Sequence, residues 1–365
     1  MAGLHDRFVR LCQIRSPTGE ERELADAVAA ELRELGLDVA EDGAAGVARA
    51  GAGNLLARVP GQSDRSVMFC AHLDTVPHQG EVEVALSDGV YRSAGDTILG
   101  ADDKAAVAVL TELAARHAAS PKPVGIELLF TVAEEEGLRG AKAFDVAVLR
   151  SDFGFVLDHA TPIGEMITAA PSYQRIVAEF RGEEAHAGIR PEAGHSAIAA
   201  ASAAVAAMEL GRLDDETTAN VGVISGGTAA NVVPARCRIE GEARSIEASR
   251  AAEVVGAMSD ACAFGATEHG CDVEVEVEEL WRCYRVQSGS EPLRVATAAL
   301  ERCGHEARRI TTGGGSDAHA LIAAGFDCLL LANGTEANHT SDESVTAANL
   351  DAMLDVCEAI LDEAA

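Results

Sequence analysis

The sequence predicts an α/β fold in which a domain of sheet and helices is interrupted by a second, smaller domain. Three observations lead there. Short apolar runs alternate with helical stretches through the first part of the chain and again at its end. Between them, over residues 172–279, the order changes to β-α-β-β-α-β, the signature of a split βαβ sandwich. The chain is also long enough, at 365 residues with 48% apolar content, to fill a sizeable core.

Taken in order, Thr18 and Glu21 have the spacing of a capping box. Leu24, Val28, Leu32 and Leu35 then recur at helical intervals until Gly36, so a surface helix is expected. Apolar runs at 54–59 and 66–70 read as strands, a helix follows Lys104, and IELLFTV within 125–133 reads as a buried strand. The inserted segment supplies a strand at 173–180, a helix near 194–210, strands at 219–225 and 235–244, a helix at 248–268, and a strand in which Val273, Val275 and Val277 alternate with acids. From Glu291 the alternation of helices and strands resumes. The expected organisation is a discontinuous domain, 1–171 and 280–365, around an insert at 172–279. The sequence contains no short-period repeat or low-complexity linker.

With 29 Lys and Arg against 59 Asp and Glu, the formal charge is −30, and the cations are scattered singly. A nucleic acid or an anionic membrane would need a concentrated basic face, so neither is expected as a partner. Lysine occurs only at Lys104, Lys122 and Lys142, which fits either the composition of the source genome or adaptation to high salt. The nine cysteines form no CxxC pair and read as small buried hydrophobes in a reducing compartment. The first residues carry charges throughout, unlike a signal peptide, and no apolar run approaches the ~18 residues of a membrane helix. A cytoplasmic location is expected.

The chemistry-bearing motifs fall at strand ends, where open α/β sheets place ligands. AHLDTVP offers His72 and Asp74, and GADDKAA offers Asp102 and Asp103. AEEEG offers Glu134, Glu135 and Glu136, VLDH ends in Asp158, and NHTSDE carries His339 and Glu343. Two imidazoles with several carboxylates form a nitrogen and oxygen ligand set suited to zinc, cobalt or manganese. Each piece alone has a plain structural reading. AEEEG, for instance, could be an acidic first helical turn favoured by the helix dipole. Repetition of the pattern at several strand ends is what packing does not explain.

The order HxDT, GADDKAA, EEEG, VLD, NHT resembles the di-zinc exopeptidase and deacylase superfamily that includes peptidase T, glutamate carboxypeptidase, aminoacylase and acetylornithine deacetylase. The resemblance covers nearly the whole chain and is strongest to the peptidase T group, through LGADDKAA, HAGIRPEAGHSAI and GGGSDA. It implies a mixed-sheet catalytic domain interrupted by a ferredoxin-like lid and dimerisation domain, two divalent metal ions, zinc foremost, and a homodimer formed through 172–279. It also implies that His72 and Asp158 hold one metal, that Glu135 and His339 hold the other, and that Asp102 bridges both after a cis peptide to Asp103. Asp74 would take the imidazole N–H of His72. Glu134 would be the general base, acting on a water whose pKa two metals about 3.5–4 Å apart lower. The acidic triplet permits a one-residue slip between base and ligand, and the family's EE-x-G-L pattern sets the register used here.

In the insert, the resemblance assigns Arg244 and Asn231 to the substrate's carboxylate and sends His186 to the partner subunit's site. A guanidinium suits a carboxylate bidentately. Strand alternation, though, also puts Glu240 and Glu242 on the face of Arg244, where an ion pair is the plain reading. Gly314 and Gly315 would let backbone approach substrate, and Asp317 would cap the next helix. Two positions depart from the family pattern: Gly313 stands where peptidase T has Arg, and His159 where Gly is common. The implied reaction is hydrolysis of an amide bond in a short peptide. The alternatives are deacylation of an N-acyl amino acid and a non-catalytic metal-binding protein.

Overall fold

The structure is a computed structural model and describes residues 3–365. It divides into two compact units, one comprising the chain up to Thr168 with Arg285–Thr311 and Ser316–Ala365, the other Ala169–Tyr284 with Thr312–Gly315.

The first unit is built on a mixed sheet. Its strands lie in the order Asp38–Glu41, Leu55–Val59, Gly125–Thr131, Ser66–His72, Phe153–His159, Asp327–Ala332 and Glu165–Ala170. The four from Gly125–Thr131 to Asp327–Ala332 run parallel, flanked by antiparallel pairs on both sides. Strands buried on both faces are expected to be continuously apolar, and Gly125–Thr131 is buried at every residue. Its one charge, Glu127, is met by Arg58 at 2.9 Å and by Ser151 Oγ and the amides of Arg150 and Ser151 at 2.8 Å. The helix Ala101–Ala119, almost wholly buried, packs on Ser66–His72 and against the helices Leu4–Cys12 and Ala347–Glu363.

The first predicted helix is present as Arg22–Glu34, with Leu24, Val28 and Leu32 buried, but it has no capping box. Glu21 instead accepts the amides of Gly19 at 3.0 Å and Gly51 at 2.6 Å, and the Thr18 hydroxyl donates to Asp74. A tertiary partner has taken the group that local spacing assigned to the helix end.

In the second unit the strands Ser172–Arg181, Thr217–Gly226, Arg236–Ser245 and Asp272–Trp281 form an antiparallel sheet, with Gly211–Asp214 added at one edge. Strict alternation of burial along Ser172–Arg181 gives it one packed face and one polar face. The helices Ala197–Ala207 and Ala248–Glu268 cover the packed face. They approach closely because Gly265 has no side chain: a Cβ there would lie 2.3 Å from the Ala200 carbonyl.

All nine cysteines are free thiols, and six of them are buried. Among the described residues no helix is long and apolar enough to cross a membrane.

Candidate active site

The parallel strands of the first unit end at a common edge. His72 closes Ser66–His72, Asp158 lies one residue from the end of Phe153–His159, and Glu134 and Glu135 follow Gly125–Thr131. Asp102 enters from the start of Ala101–Ala119, where Asp102 and Asp103 are non-helical and the peptide between them is cis. His339 comes from the loop after Thr335–Glu336.

These residues converge. His72 Nε2 lies 3.4 Å from Asp102 Oδ1 and 3.6 Å from Asp158 Oδ1. His339 Nε2 lies 3.2 Å from Asp102 Oδ2 and 3.1 Å from Glu135 Oε1. Asp102 thus turns one oxygen to each imidazole. Ligand atoms of His72, Glu134 and Asp158 fall within 4.8 Å of one another, as do those of His72, Asp102 and Glu135. Asp102 Oδ1 and Glu135 Oε1 are buried without a hydrogen-bond partner among the described residues. Buried acceptors left this way are costly, and divalent cations bound by imidazole and carboxylate would satisfy them. The donor set fits the metals that the sequence implied.

The electrostatics agree. Burial pushes the Glu134 carboxyl well above the usual carboxylate range, and the charge of Asp158 adds to this. Asp158 itself is pushed up to about 7, again chiefly by burial. The carboxylates of Asp102 and Glu135 facing its Nε2 hold His339 up at about 10. Burial opposes charge on Asp102, yet the imidazoles of His339 and His72 facing its two oxygens keep its carboxyl well below the ordinary value. Crowded acids that gain their neutrality only from protons or imidazoles are the state that cations relieve.

Supporting residues fix this arrangement. Glu343 accepts the Gly100 amide at 2.7 Å and the Asp102 amide at 2.8 Å. Asp103 takes the His72 amide at 3.2 Å and Asn333 Nδ2 at 3.0 Å, a structural role. Asn338, which sequence reasoning passed over although it precedes His339, donates to Asp102 Oδ2 at 2.9 Å. Asp317, buried and pushed up to about 6 by that burial, accepts the Thr131 hydroxyl. It does not cap its helix: Ser316 is the N-cap, and His319 completes the capping box.

Asp74 departs from its expected contact. His72 Nδ1 meets the Asp74 backbone carbonyl at 2.9 Å, while the carboxylate stays 3.7 Å away. That carboxylate accepts the amides of Glu134 at 2.9 Å and Glu135 at 3.2 Å, because the strand ends bring the glutamate turn directly over it. His159 pairs with Glu165, its Nε2 lying 3.5 Å from the carboxylate.

The second unit holds the other predicted residues, at two ends. His186 is exposed and pairs in register with Val232, and the Ala187 amide donates to the Asn231 carbonyl at 3.0 Å. Arg244 lies toward the opposite end of Arg236–Ser245, roughly 26 Å along the strand from Arg236 at ~3.3 Å per residue. Its guanidinium stacks 4.4 Å from the Tyr173 ring centroid and pairs with Glu242 through two bonds of 3.1 and 3.0 Å. It also donates to the Gly313 carbonyl at 3.0 Å. Gly315 is glycine for a reason other than open access to backbone: a Cβ there would meet the Trp281 ring at 2.4 Å. Gly314 has only Thr312 Oγ1 nearby, at 3.6 Å from such a Cβ.

A carboxylate shared between two imidazoles, at the carboxyl edge of a parallel sheet, defines a hydrolytic metalloenzyme. Residues 68–363 match the model of peptidase family M20/M25/M40, and the chain belongs to that family of metallopeptidases. An uncharacterized protein of Bacillus subtilis is 37% identical over 99% of this chain and 98% of its own length. Among solved structures, the aminopeptidase PepT of Bacillus cereus is similar at 36% identity and a TM-score of 0.88, covering 99% of this chain and 98% of its own. A tripeptidase of Staphylococcus aureus is similar at 34% identity and a TM-score of 0.93, covering 99% and 97%.

Proposed function

We propose that this metallopeptidase removes a terminal residue from short peptides, tripeptides among them, with two zinc ions bound at the strand-end cluster. His72 and Asp158 would hold one ion, Glu135 and His339 the other, and Asp102 both. The observation that carries this reading is the division of the Asp102 oxygens between His72 and His339, at 3.4 and 3.2 Å. The bound metals supply electrophilic activation of the attacking water and of the scissile carbonyl.

The protein's own residues do the rest. Glu134, beside His72 and Asp158, takes the proton of the attacking water and delivers it to the leaving amine. Asp74 keeps Glu134 and Glu135 in place through their amides. Arg244 binds a substrate carboxylate. Its side-on fork is already filled by Glu242, so an incoming carboxylate competes with an internal one. We further propose a cytoplasmic homodimer joined through residues 172–279, with His186 of one protomer serving the other's site. His186 follows the Arg181–Arg236 end of the sheet, whereas Arg244 pairs with Tyr173 at the other end, and this separation supports sending His186 to another site. A monomeric mass in light scattering at working concentration would refute the dimer.

The activity is tested with a panel of di- and tripeptides beside N-acetyl and N-succinyl amino acids, using zinc-loaded protein. Peptide turnover at least tenfold faster than deacylation is expected. Preference for the acyl amino acids would replace this reading with deacylation.

A further inference from the structure

We infer that Thr18, a residue outside the metal cluster, is a positioning residue for the Glu134 and Glu135 pair. The inference rests on the assignment of Glu134 as base and Glu135 as ligand given above.

The segment Ser16 to Thr18 runs beside the loop that follows His72. Ser16 Oγ donates to the Leu73 carbonyl at 2.9 Å, the Thr75 amide donates to the Ser16 carbonyl at 2.9 Å, and the Thr18 amide donates to the Thr75 carbonyl at 3.1 Å. These contacts involve no Thr18 side-chain atom, so valine, alanine or serine at position 18 retains every one of them. The Thr18 hydroxyl is then free to serve elsewhere, and it donates to Asp74 Oδ2 at 2.7 Å.

Asp74 is fully buried, and its carboxylate has three donors in reach: Thr18 Oγ1, the Glu134 amide on Oδ1 at 2.9 Å, and the Glu135 amide on Oδ2 at 3.2 Å. The Thr18 bond is the shortest. The turn that these amides belong to is under strain, because Ala133 sits at φ 51°, a left-handed conformation that L-residues adopt at a cost. Such a turn persists when its neighbours are held: the Gly137 and Leu138 amides bond the Glu134 carbonyl at 3.0 and 2.8 Å, and Asp74 holds the amides of Glu134 and Glu135 themselves. Without the hydroxyl, Oδ2 keeps only its longer partner, and the carboxylate can swing toward His72 Nδ1, now 3.7 Å from Oδ1. Both glutamates would then lose a common anchor. A base displaced by a fraction of an ångström loses rate while leaving peptide affinity intact.

The test compares Thr18→Val, which keeps shape and removes the hydroxyl, with Thr18→Ser, which restores it, in zinc-loaded full-length protein. Thr18→Ala, lacking both hydroxyl and methyl, is the companion should the valine variant be unstable. The expected result is a kcat lower by about tenfold for Val and Ala, KM within about twofold, two metals retained, and Ser near wild type. A kcat within about twofold of wild type in Val and Ala would overturn the inference, as would a Ser variant as slow as they are. Full activity of Glu134→Gln would instead remove the assignment beneath it, so the two failures are distinguishable.

Discussion

Replacing Glu134 with Gln tests the assigned base with little change of shape. The carboxylate is 9% exposed and shares a site with His72 and Asp158, and burial followed by the Asp158 charge pushes its proton affinity up. The neutral amide therefore relieves repulsion on Asp158 and leaves each proposed ligand in place, so metal content should stay near two per chain. Loss of a general base costs about 10²–10⁴ in rate, about 3–5 kcal/mol of barrier. The assay is steady-state tripeptide hydrolysis, with metal content measured on the same sample. A kcat within tenfold of wild type at full metal content would refute the role of the base. A kcat loss accompanied by loss of one metal would make Glu134 a ligand and restore the one-residue slip that the acidic triplet allows.

Further outcomes follow from other contacts. Arg244→Ala should raise KM for peptides with a free carboxylate about tenfold or more, whereas Glu242→Gln should lower it by about two- to fivefold, since the pair that substrate must break is only partly buried, its side chains 24% and 29% exposed, and of modest strength; an unchanged KM in both variants would remove Arg244 from substrate binding. Zinc should raise the melting temperature more at pH 8 than at pH 5. With its folded value raised to about 7 from the ordinary 3.8, Asp158 contributes stability that is complete below about 3.8 and lost as pH rises through about 7. Metal takes over the ionised carboxylate, so its benefit grows along the same window. Equal zinc shifts at the two pH values in differential scanning calorimetry would contradict this.

Much of the fold was legible because its elements obey simple periods. The buried run at 125–131, the strand expected over 173–180 and the helix 248–268 stand where apolar spacing put them. The cluster was legible for a different reason: His72, Asp102, Glu135, Asp158 and His339 sit in short motifs whose order the family shares. What sequence missed were contacts made across long stretches of chain. Thr18 and Glu21 match a capping box locally, but folding brings Asp74 to the hydroxyl and Gly51 to the carboxylate. The Asp74 carboxylate was expected on the imidazole two residues away, and it went to amides sixty residues on, at 2.9 and 3.2 Å. Asn338 carried a faint signal, its place beside His339, whereas nothing near Gly315 pointed to the ring of Trp281. The ion pair of Arg244 with Glu242 was visible in strand alternation alone.

The central claim is that one carboxylate, Asp102, serves two metals. Anomalous diffraction from crystals of the zinc-loaded protein, recorded on both sides of the zinc edge, tests it most directly. The account predicts two peaks flanking the Asp102 carboxylate, one against His72 and Asp158 and the other against Glu135 and His339. A single peak, or a second one coordinated by Glu134 in place of Glu135, would contradict it.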